Sequence, residues 1–197
     1  MGPDQAIYAP WIIWATSWFA AAVWASRTVN RPAIGSQTFY RLFEFAGFFL
    51  LLFYAARRDN GRYEQAFTGG QLWTLPDGAK WAMVGVAALG FLFCWWARLH
   101  LGRLWSGSVT RKEGHHVVNT GPYAIVRHPI YTGILVASLA TMALRGTAAA
   151  IAGVALLTIG FTLKGRLEER FLRAELGAAA YDAYARKTAM LVPFVKL

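Results

Sequence analysis

The sequence predicts an all-α integral membrane protein with about five transmembrane helices and a C-terminal interfacial amphipathic helix. Three observations predict it. Of the 197 residues 56% are hydrophobic and nine are Trp, more apolar surface than one soluble core of this size needs. The apolar residues gather at 7–25, 39–56, 81–99 and 130–163, close to or above the ~20 residues that carry a helix across a bilayer. Finally, the basic residues divide unevenly between the two sides that such crossings define.

Each stretch carries its own signals. The first has no basic leader and no small-residue cleavage site, so it reads as a retained helix and not a signal peptide. Ala6 stands where a myristoylation signal has Ser or Thr. Trp11, Trp14 and Trp18 form a helical stripe there, which we read as packing. The third stretch holds Cys94, the single cysteine, which excludes a disulfide framework and a thiolate metal site. It ends in Trp95, Trp96 and Arg98, read as an interfacial belt with cation–π contact. The stretch 130–163 is too long for one crossing, and Arg145-Gly146 divides it into 130–144 and 147–163 joined by a tight turn. From Leu163 onward Leu167, Phe171, Ala174 and Ala178 recur at helical spacing with charges between them. That tail is expected to lie on or just below the interface. The chain reads as a single membrane domain, 1–197, with two helices and an extramembrane loop in 1–80 and a functional core in 81–197.

Five crossings place fifteen Lys and Arg on one side and five (Arg57, Arg58, Arg62, Lys80 and Arg145) on the other. The positive-inside rule then puts the C-terminus and the 100–128 loop in the cytoplasm and the N-terminus outside. Arg57 and Arg58 run against the rule. The net charge of +10 comes without a basic helix face, a stacking-aromatic strand pattern or zinc spacing, which excludes nucleic acid. Anionic headgroups and topology account for it.

Residues 120–133, Thr-Gly-Pro-Tyr-Ala-Ile-Val-Arg-His-Pro-Ile-Tyr-Thr-Gly, form a cap before a long apolar helix. Pro122 sets a turn after Gly121, and Pro129 suits the first helical position while holding His128 extended. Arg127, His128 and Tyr131 therefore ring the positive end of a membrane helix, where free amide donors and a guanidinium suit the carboxylate of a small polar ligand. Interfacial anchoring by Arg and Tyr accounts for the same residues on composition alone. Residues 98–108, the cap and the tail are expected to converge on one face. In the tail, Glu168 and Glu169 have i,i+4 partners in Lys164 and Arg173, the bland reading. Adjacent acids point about 100° apart, however. One can pair with an Arg while the other faces a cavity under the bilayer.

The run Arg98-Leu-His-Leu-Gly-Arg-Leu-Trp-Ser, the segment from Gly114 through Gly-Pro-Tyr-Ala-Ile-Val-Arg-His-Pro-Ile-Tyr-Thr-Gly, and Glu168-Glu-Arg-Phe-Leu-Arg-Ala-Glu-Leu-Gly with Tyr181, Tyr184 and Pro193 together resemble the isoprenylcysteine carboxyl methyltransferase family. The broader group includes phospholipid N-methyltransferases. The resemblance covers about half of the chain, residues 98–194. It implies an integral membrane enzyme that moves a methyl group from S-adenosylmethionine to a lipid-borne or prenylated acceptor, placed in a bacterial inner membrane with its site facing the cytoplasm. By motif, Tyr123, His128 and Tyr131 hold the methionine part or ribose of the cofactor. Glu168 or Glu169 closes on its amino group or ribose hydroxyls, and backbone around Val117 and Val118 lines the adenine slot. No glycine-rich dinucleotide fingerprint is present.

Methyl transfer to a carboxylate needs no base, so alignment and dehydration do most of the work. Arg98, Arg103 or Arg127 can fix such a carboxylate through bidentate contacts, and Arg127 and Arg98 are the favoured pair. An amine acceptor needs a base, for which His128 or a glutamate is the nearby candidate. Three alanines separate Gly177 from Tyr181 where the family has two residues, turning the next helix by about 100°, so no role is carried to Tyr181 or Tyr184. Ala124 replaces a residue that is commonly basic, which speaks against a phosphate contact there. His115 and His116 point apart and lack further ligands, so no metal is assigned. His100 reads as interfacial. The competing readings are an N- or O-methyltransferase of phospholipid or another small apolar acceptor, a nicotinamide-dependent isoprenoid or sterol reductase, and a non-catalytic lipid-binding membrane protein. Oligomeric state stays open.

Overall fold

Proline, glycine and threonine set the limits of the helices. The computed structural model describes residues 1–53, 58–59, 62–63, 71–114 and 116–195. Pro3–Ala6 (α1) and Tyr8–Ala21 (α2) form a nearly continuous rod. Thr28–Asn30 (β1) follows, then Ile34–Phe48 (α3), which passes into a π-turn at Phe49–Phe53. Arg58–Asp59 (β2) pairs with Arg62–Tyr63 (β3). Asp77–Leu101 (α4) is followed by Arg111–Lys112 (β4), which pairs antiparallel with β1. Pro122–Ile125 (α5) is a single turn entered through Gly121 at φ 56°. Pro129–Arg145 (α6), Ala148–Leu176 (α7) and Ala178–Lys187 (α8) complete the order.

Among the described residues, three helical stretches are long and apolar enough to cross a membrane: Pro3–Trp24, Asp77–Leu104 and Ala148–Leu176. Helix α6 is apolar but shorter. The predicted crossing at 39–56 is divided between α3 and the π-turn, with 54–56 outside the described residues. Arg57 also lies outside them, as do the side chains of Arg58 and Arg62.

The break inside 130–163 falls where the sequence places it. Gly146 adopts the left-handed conformation (φ 60°, ψ 33°), and Thr147 caps α7 by accepting the Ala150 N–H at 3.2 Å. The tail differs from its expectation. No break occurs at 163: α7 runs on to Leu176, and its 29 residues extend about 43 Å, well beyond the ~30 Å apolar core of a bilayer. Nothing between Thr147 and Gly177 (φ 99°) interrupts the hydrogen-bond ladder. Glu168 and Glu169 thus ride on the extension of a spanning helix and not on a separate interfacial one. The separate C-terminal helix is α8.

Contacts at the two ends fix the directions of the helices. At one end Lys80 bonds Asp4 at 2.8 Å, the Trp73 indole donates to the Ala143 carbonyl at 2.8 Å, and Arg145 donates to the Leu51 carbonyl. At the other, the Ser26 N–H meets the Arg103 carbonyl at 2.8 Å and β1 pairs with β4. Helices α2, α4 and α7 therefore run one way, and α3 and α6 the other. Backbones meet where glycines face each other: a Cβ on Gly90 would lie 2.6 Å from the Gly133 carbonyl oxygen, and one on Gly47 2.9 Å from that of Gly153. Such close approach is how membrane helices gain packing without a hydrophobic drive between them. A core of Trp11, Leu51, Phe91, Ile134, Leu157 and Phe161 fills the space between the two pairs.

Gly133→Leu is expected to lower the melting temperature of the detergent-purified chain by overpacking the α4–α6 contact, at a cost of about 1–3 kcal/mol. Gly85→Leu on the open side of α4, where an added Cβ meets nothing within 4 Å, leaves it unchanged. Equal melting temperatures for both variants would contradict this packing.

Candidate active site

The cap before α6 is built as the sequence predicts, with Pro129 in its first turn and His128 just outside it. Its amides are not free, however. Val126 pairs in parallel with Ala189, the Arg127 N–H donates to the Ala189 carbonyl at 2.8 Å, and the His128 N–H to that of Met190 at 3.1 Å. Thr132 Oγ1 donates to the Leu191 carbonyl at 2.6 Å. The chain's own segment after α8 thus takes up the N–H groups of Arg127 and His128, the two residues that lead into the helix.

The paired glutamates divide their work. Glu169 accepts from Arg127 Nε at 2.7 Å and Nη2 at 3.3 Å, and sits 3.0 Å from His128 Nε2. Arg127 Nη1 donates to the carbonyls of Ala185 and Thr188. Every nitrogen of that guanidinium thus has a protein partner. Glu168, about 100° further round α7, accepts from the Tyr131 hydroxyl at 2.7 Å. His128 stacks on Tyr131 at 5.1 Å and 5°, and Tyr131 on Phe161 at 5.1 Å and 18°. Gly165 makes room for this arrangement, since a Cβ there would lie 3.2 Å from His128 Nε2. Neither bland i,i+4 pair forms: Lys164 faces Glu44 at 3.6 Å, and Arg173 bonds Asp182 at 2.7 Å.

These groups border a cavity of about 250 Å³. Its polar lining comes from His116, Tyr123, His128, Tyr131, Glu168, Tyr181 and Tyr184. Its apolar lining includes Trp14, Trp18, Phe48, Trp105, Val117, Val118, Ile134 and Phe161. The Tyr184 hydroxyl donates to the Tyr123 carbonyl at 2.7 Å and ties α8 to the cap. Burial pushes the phenols of Tyr123, Tyr181 and Tyr184 far above their ordinary range, with the glutamate charges adding to the effect. They are hydrogen-bonding groups and not bases.

Of the residues singled out in the sequence, Tyr123, His128, Tyr131, Glu168, Val117, Val118 and Arg127 all border the cavity. Glu169 lies behind them and holds Arg127 and His128. Arg98 does not join them. It is 1% exposed, donates to the carbonyls of Gly102 at 2.6 Å and Ala21 at 2.7 Å, and lies 4.3 Å over the Trp105 ring. The ends of α2 and α4 converge there, and its guanidinium donates to their last carbonyls, off the cavity lining where the sequence analysis expected it to grip a substrate carboxylate. His100 bonds Thr120 Oγ1 at 2.8 Å. His115 lies outside the described residues. The sequence reading missed Tyr181, Tyr184, Trp14, Trp18, Trp105, Glu44 and Lys164, all on the cavity wall. A usable signal existed for Glu44, an acid inside an apolar run, where ionisable residues are costly and commonly functional.

Apolar helices long enough to span a bilayer, gathered round a carboxylate, imidazole and phenol cluster at one end, define an integral membrane protein with a cavity bordered by polar side chains. Residues 83–174 match the isoprenylcysteine carboxyl methyltransferase (ICMT) family, so the family resemblance holds across the segment that carries α6, α7 and both glutamates. The chain is 35% identical over 88 residues to protein-S-isoprenylcysteine O-methyltransferase B of Arabidopsis thaliana, a match covering 44% of each chain. It is 31% identical over 102 residues to the cobalt-zinc-cadmium resistance protein CzcN of Cupriavidus metallidurans, covering 49% of this chain and 45% of the relative. The chain thus matches less than half the length of these curated relatives.

The two glutamates are expected to behave differently when neutralised. Glu169→Gln lowers the melting temperature, because it weakens charge-assisted bonds to two buried or half-buried groups, at a cost on the order of 1–3 kcal/mol. Glu168→Gln, which keeps a partner for Tyr131, leaves it nearly unchanged. Thermal melts followed by intrinsic fluorescence check this, and equal losses would contradict the division of labour.

Proposed function

We propose that the chain transfers a methyl group from S-adenosylmethionine to a lipid-soluble acceptor, a carboxylate of the isoprenylcysteine type. The observation that carries this reading is one cavity with a polar wall of Glu168, Tyr131, Tyr123 and His128 and an apolar wall of aromatic side chains. The family match over residues 83–174 supports it.

The donor set fits the cofactor. Glu168, with one hydrogen bond in place, has lone pairs left for an ammonium or ribose hydroxyls. Tyr123 and Tyr181 offer neutral hydroxyls, and Val117 and Val118 offer an apolar edge for the adenine. When bound, S-adenosylmethionine supplies an electrophilic methyl group on a positively charged sulfur. The chain's residues bind, orient and exclude water. Glu169 and Arg127 fix the imidazole of His128, which stacks on Tyr131 and so sets the hydroxyl that Glu168 receives. A carboxylate acceptor brings no proton to remove, so no base is assigned. Trp14, Trp18, Phe48 and Phe161 suit a prenyl or other apolar chain arriving from lipid, and reduce the hydration of the reacting group.

The end that holds the cavity also carries Arg103, Arg111, Lys112, Arg166, Arg170 and Arg186. By the positive-inside rule that end faces the cytoplasm, which suits a water-soluble donor and a bacterial inner membrane.

Isothermal titration of the purified chain checks the reading. S-adenosylhomocysteine gives a saturable heat and a nicotinamide dinucleotide gives none, and Glu168→Gln weakens the first by about tenfold, ~1.4 kcal/mol. No heat with S-adenosylhomocysteine, or saturation by the dinucleotide alone, would overturn it.

A further inference from the structure

We infer that Lys164 holds the anionic head of the acceptor and that Glu44 is the counter-ion the acceptor displaces; this rests on the methyl-transfer reading above. Among the described residues, two Lys or Arg side chains border the cavity, Arg127 and Lys164. The donors of Arg127 are committed to Glu169 and to the carbonyls of Ala185 and Thr188. Arg98 is committed to the ends of α2 and α4. Lys164 differs from both. Its side chain is 12% exposed and its Nζ stands 3.6 Å from Glu44 Oε1, beyond hydrogen-bond length. The Tyr131 and Tyr40 rings lie under it at 5.0 and 5.5 Å, which favours a cation there but supplies no acceptor atom. Glu44 Oε1 is itself buried without a hydrogen bond. An ammonium with three donors and a carboxylate oxygen thus form a long ion pair without a hydrogen bond on the wall of a cavity. That is a costly state unless a ligand completes it.

The placement of the pair specifies the ligand. Lys164 and Glu168 are one turn apart on one face of α7, about 6 Å along the axis, and Tyr131 bridges them, its ring under Lys164 and its hydroxyl on Glu168. The cavity therefore has an anion-attracting pole next to a cation-attracting one. The cationic donor belongs at Glu168 and the anionic acceptor at Lys164, with Phe48 and Phe161 beyond it for an apolar chain. Gly160, one turn before Lys164, lets α3 approach: a Cβ there would lie 3.1 Å from Glu44 Cγ. In the transfer, a carboxylate oxygen forms the new bond to the methyl carbon while the carbon–sulfur bond breaks with its electron pair left on sulfur. The anion becomes a neutral methyl ester. Lys164 then loses its hold on the product and returns to Glu44, so the pair favours the acid over the ester and promotes release.

The test titrates the full chain in detergent, loaded with S-adenosylhomocysteine, with N-acetyl-S-farnesylcysteine and with its methyl ester. Quenching of tryptophan fluorescence is the readout, since Trp14, Trp18 and Trp105 border the cavity. The acid binds about tenfold tighter than the ester. Lys164→Met removes this preference, Lys164→Arg keeps it, and Glu44→Gln, which removes the competing carboxylate, tightens the acid severalfold. S-adenosylhomocysteine affinity, measured separately by calorimetry, stays the same in all three and reports an intact fold. Equal or absent binding of the acid by the unmodified chain, a preference that survives Lys164→Met, or loss of acid binding in Glu44→Gln overturns the inference. Failure of S-adenosylhomocysteine to bind the unmodified chain defeats the methyl-transfer reading instead, so the two failures are distinct.

Discussion

Glu169 ties the cap before α6 to the far end of α7, accepting from the Arg127 guanidinium at 2.7 Å and from the His128 ring at 3.0 Å. Three distant parts of the chain meet there, because Arg127 also donates to the carbonyls of Ala185 and Thr188. The backbone bonds of Arg127 and His128 to Ala189 and Met190 hold the segment after α8 to the cap, and the Glu169 contact adds the tie from both to α7. Charge-assisted hydrogen bonds to partly buried groups are strong and directional. They suit a site whose walls come from helices that have no hydrophobic drive toward one another in lipid and associate through close packing and hydrogen bonds.

The same helix carries the tether and the open group. α7 runs unbroken past the length of an apolar bilayer core, so its last turns stand clear of lipid while still in register with the packed part. Glu169 faces the cap and Glu168 faces the cavity because successive residues diverge by about 100°. Lys164, one turn back, reaches the α3 side and Glu44. Polar function is thus graded along one helix, from an ion pair near the apolar wall to a closed ion cluster at the water boundary.

Much of this was legible in the sequence, for physical reasons. Pro122, Pro129, Gly146 and Thr147 act locally, so the cap and the hairpin turn fall where they were expected. The angular divergence of adjacent helical residues predicted that one glutamate would pair with an arginine and the other face a cavity. What could not be read depends on contacts between distant segments. The continuity of α7 was hidden because polar residues after 163 resemble an interfacial helix, and the packing that carries the helix through them is tertiary. The place of Arg98 was not legible because its partners, the carbonyls of Ala21 and Gly102, are backbone atoms that no motif displays. Tyr181 and Tyr184 were set aside on spacing, yet the turn at Gly177 directs both inward. The bonds from the Arg127 and His128 amides to the carbonyls of Ala189 and Met190 likewise have no local signature.

The central claim is that the cavity between α6 and α7 binds S-adenosylmethionine through Glu168 while Glu169 stays on Arg127 and His128. An experimental structure of the chain with S-adenosylhomocysteine tests this most directly. The account predicts the ligand in that cavity, with its amino group or ribose hydroxyls within hydrogen-bond distance of Glu168 and the Glu169 clamp intact. A ligand bound elsewhere, or held by Glu169 with the clamp broken, would contradict it.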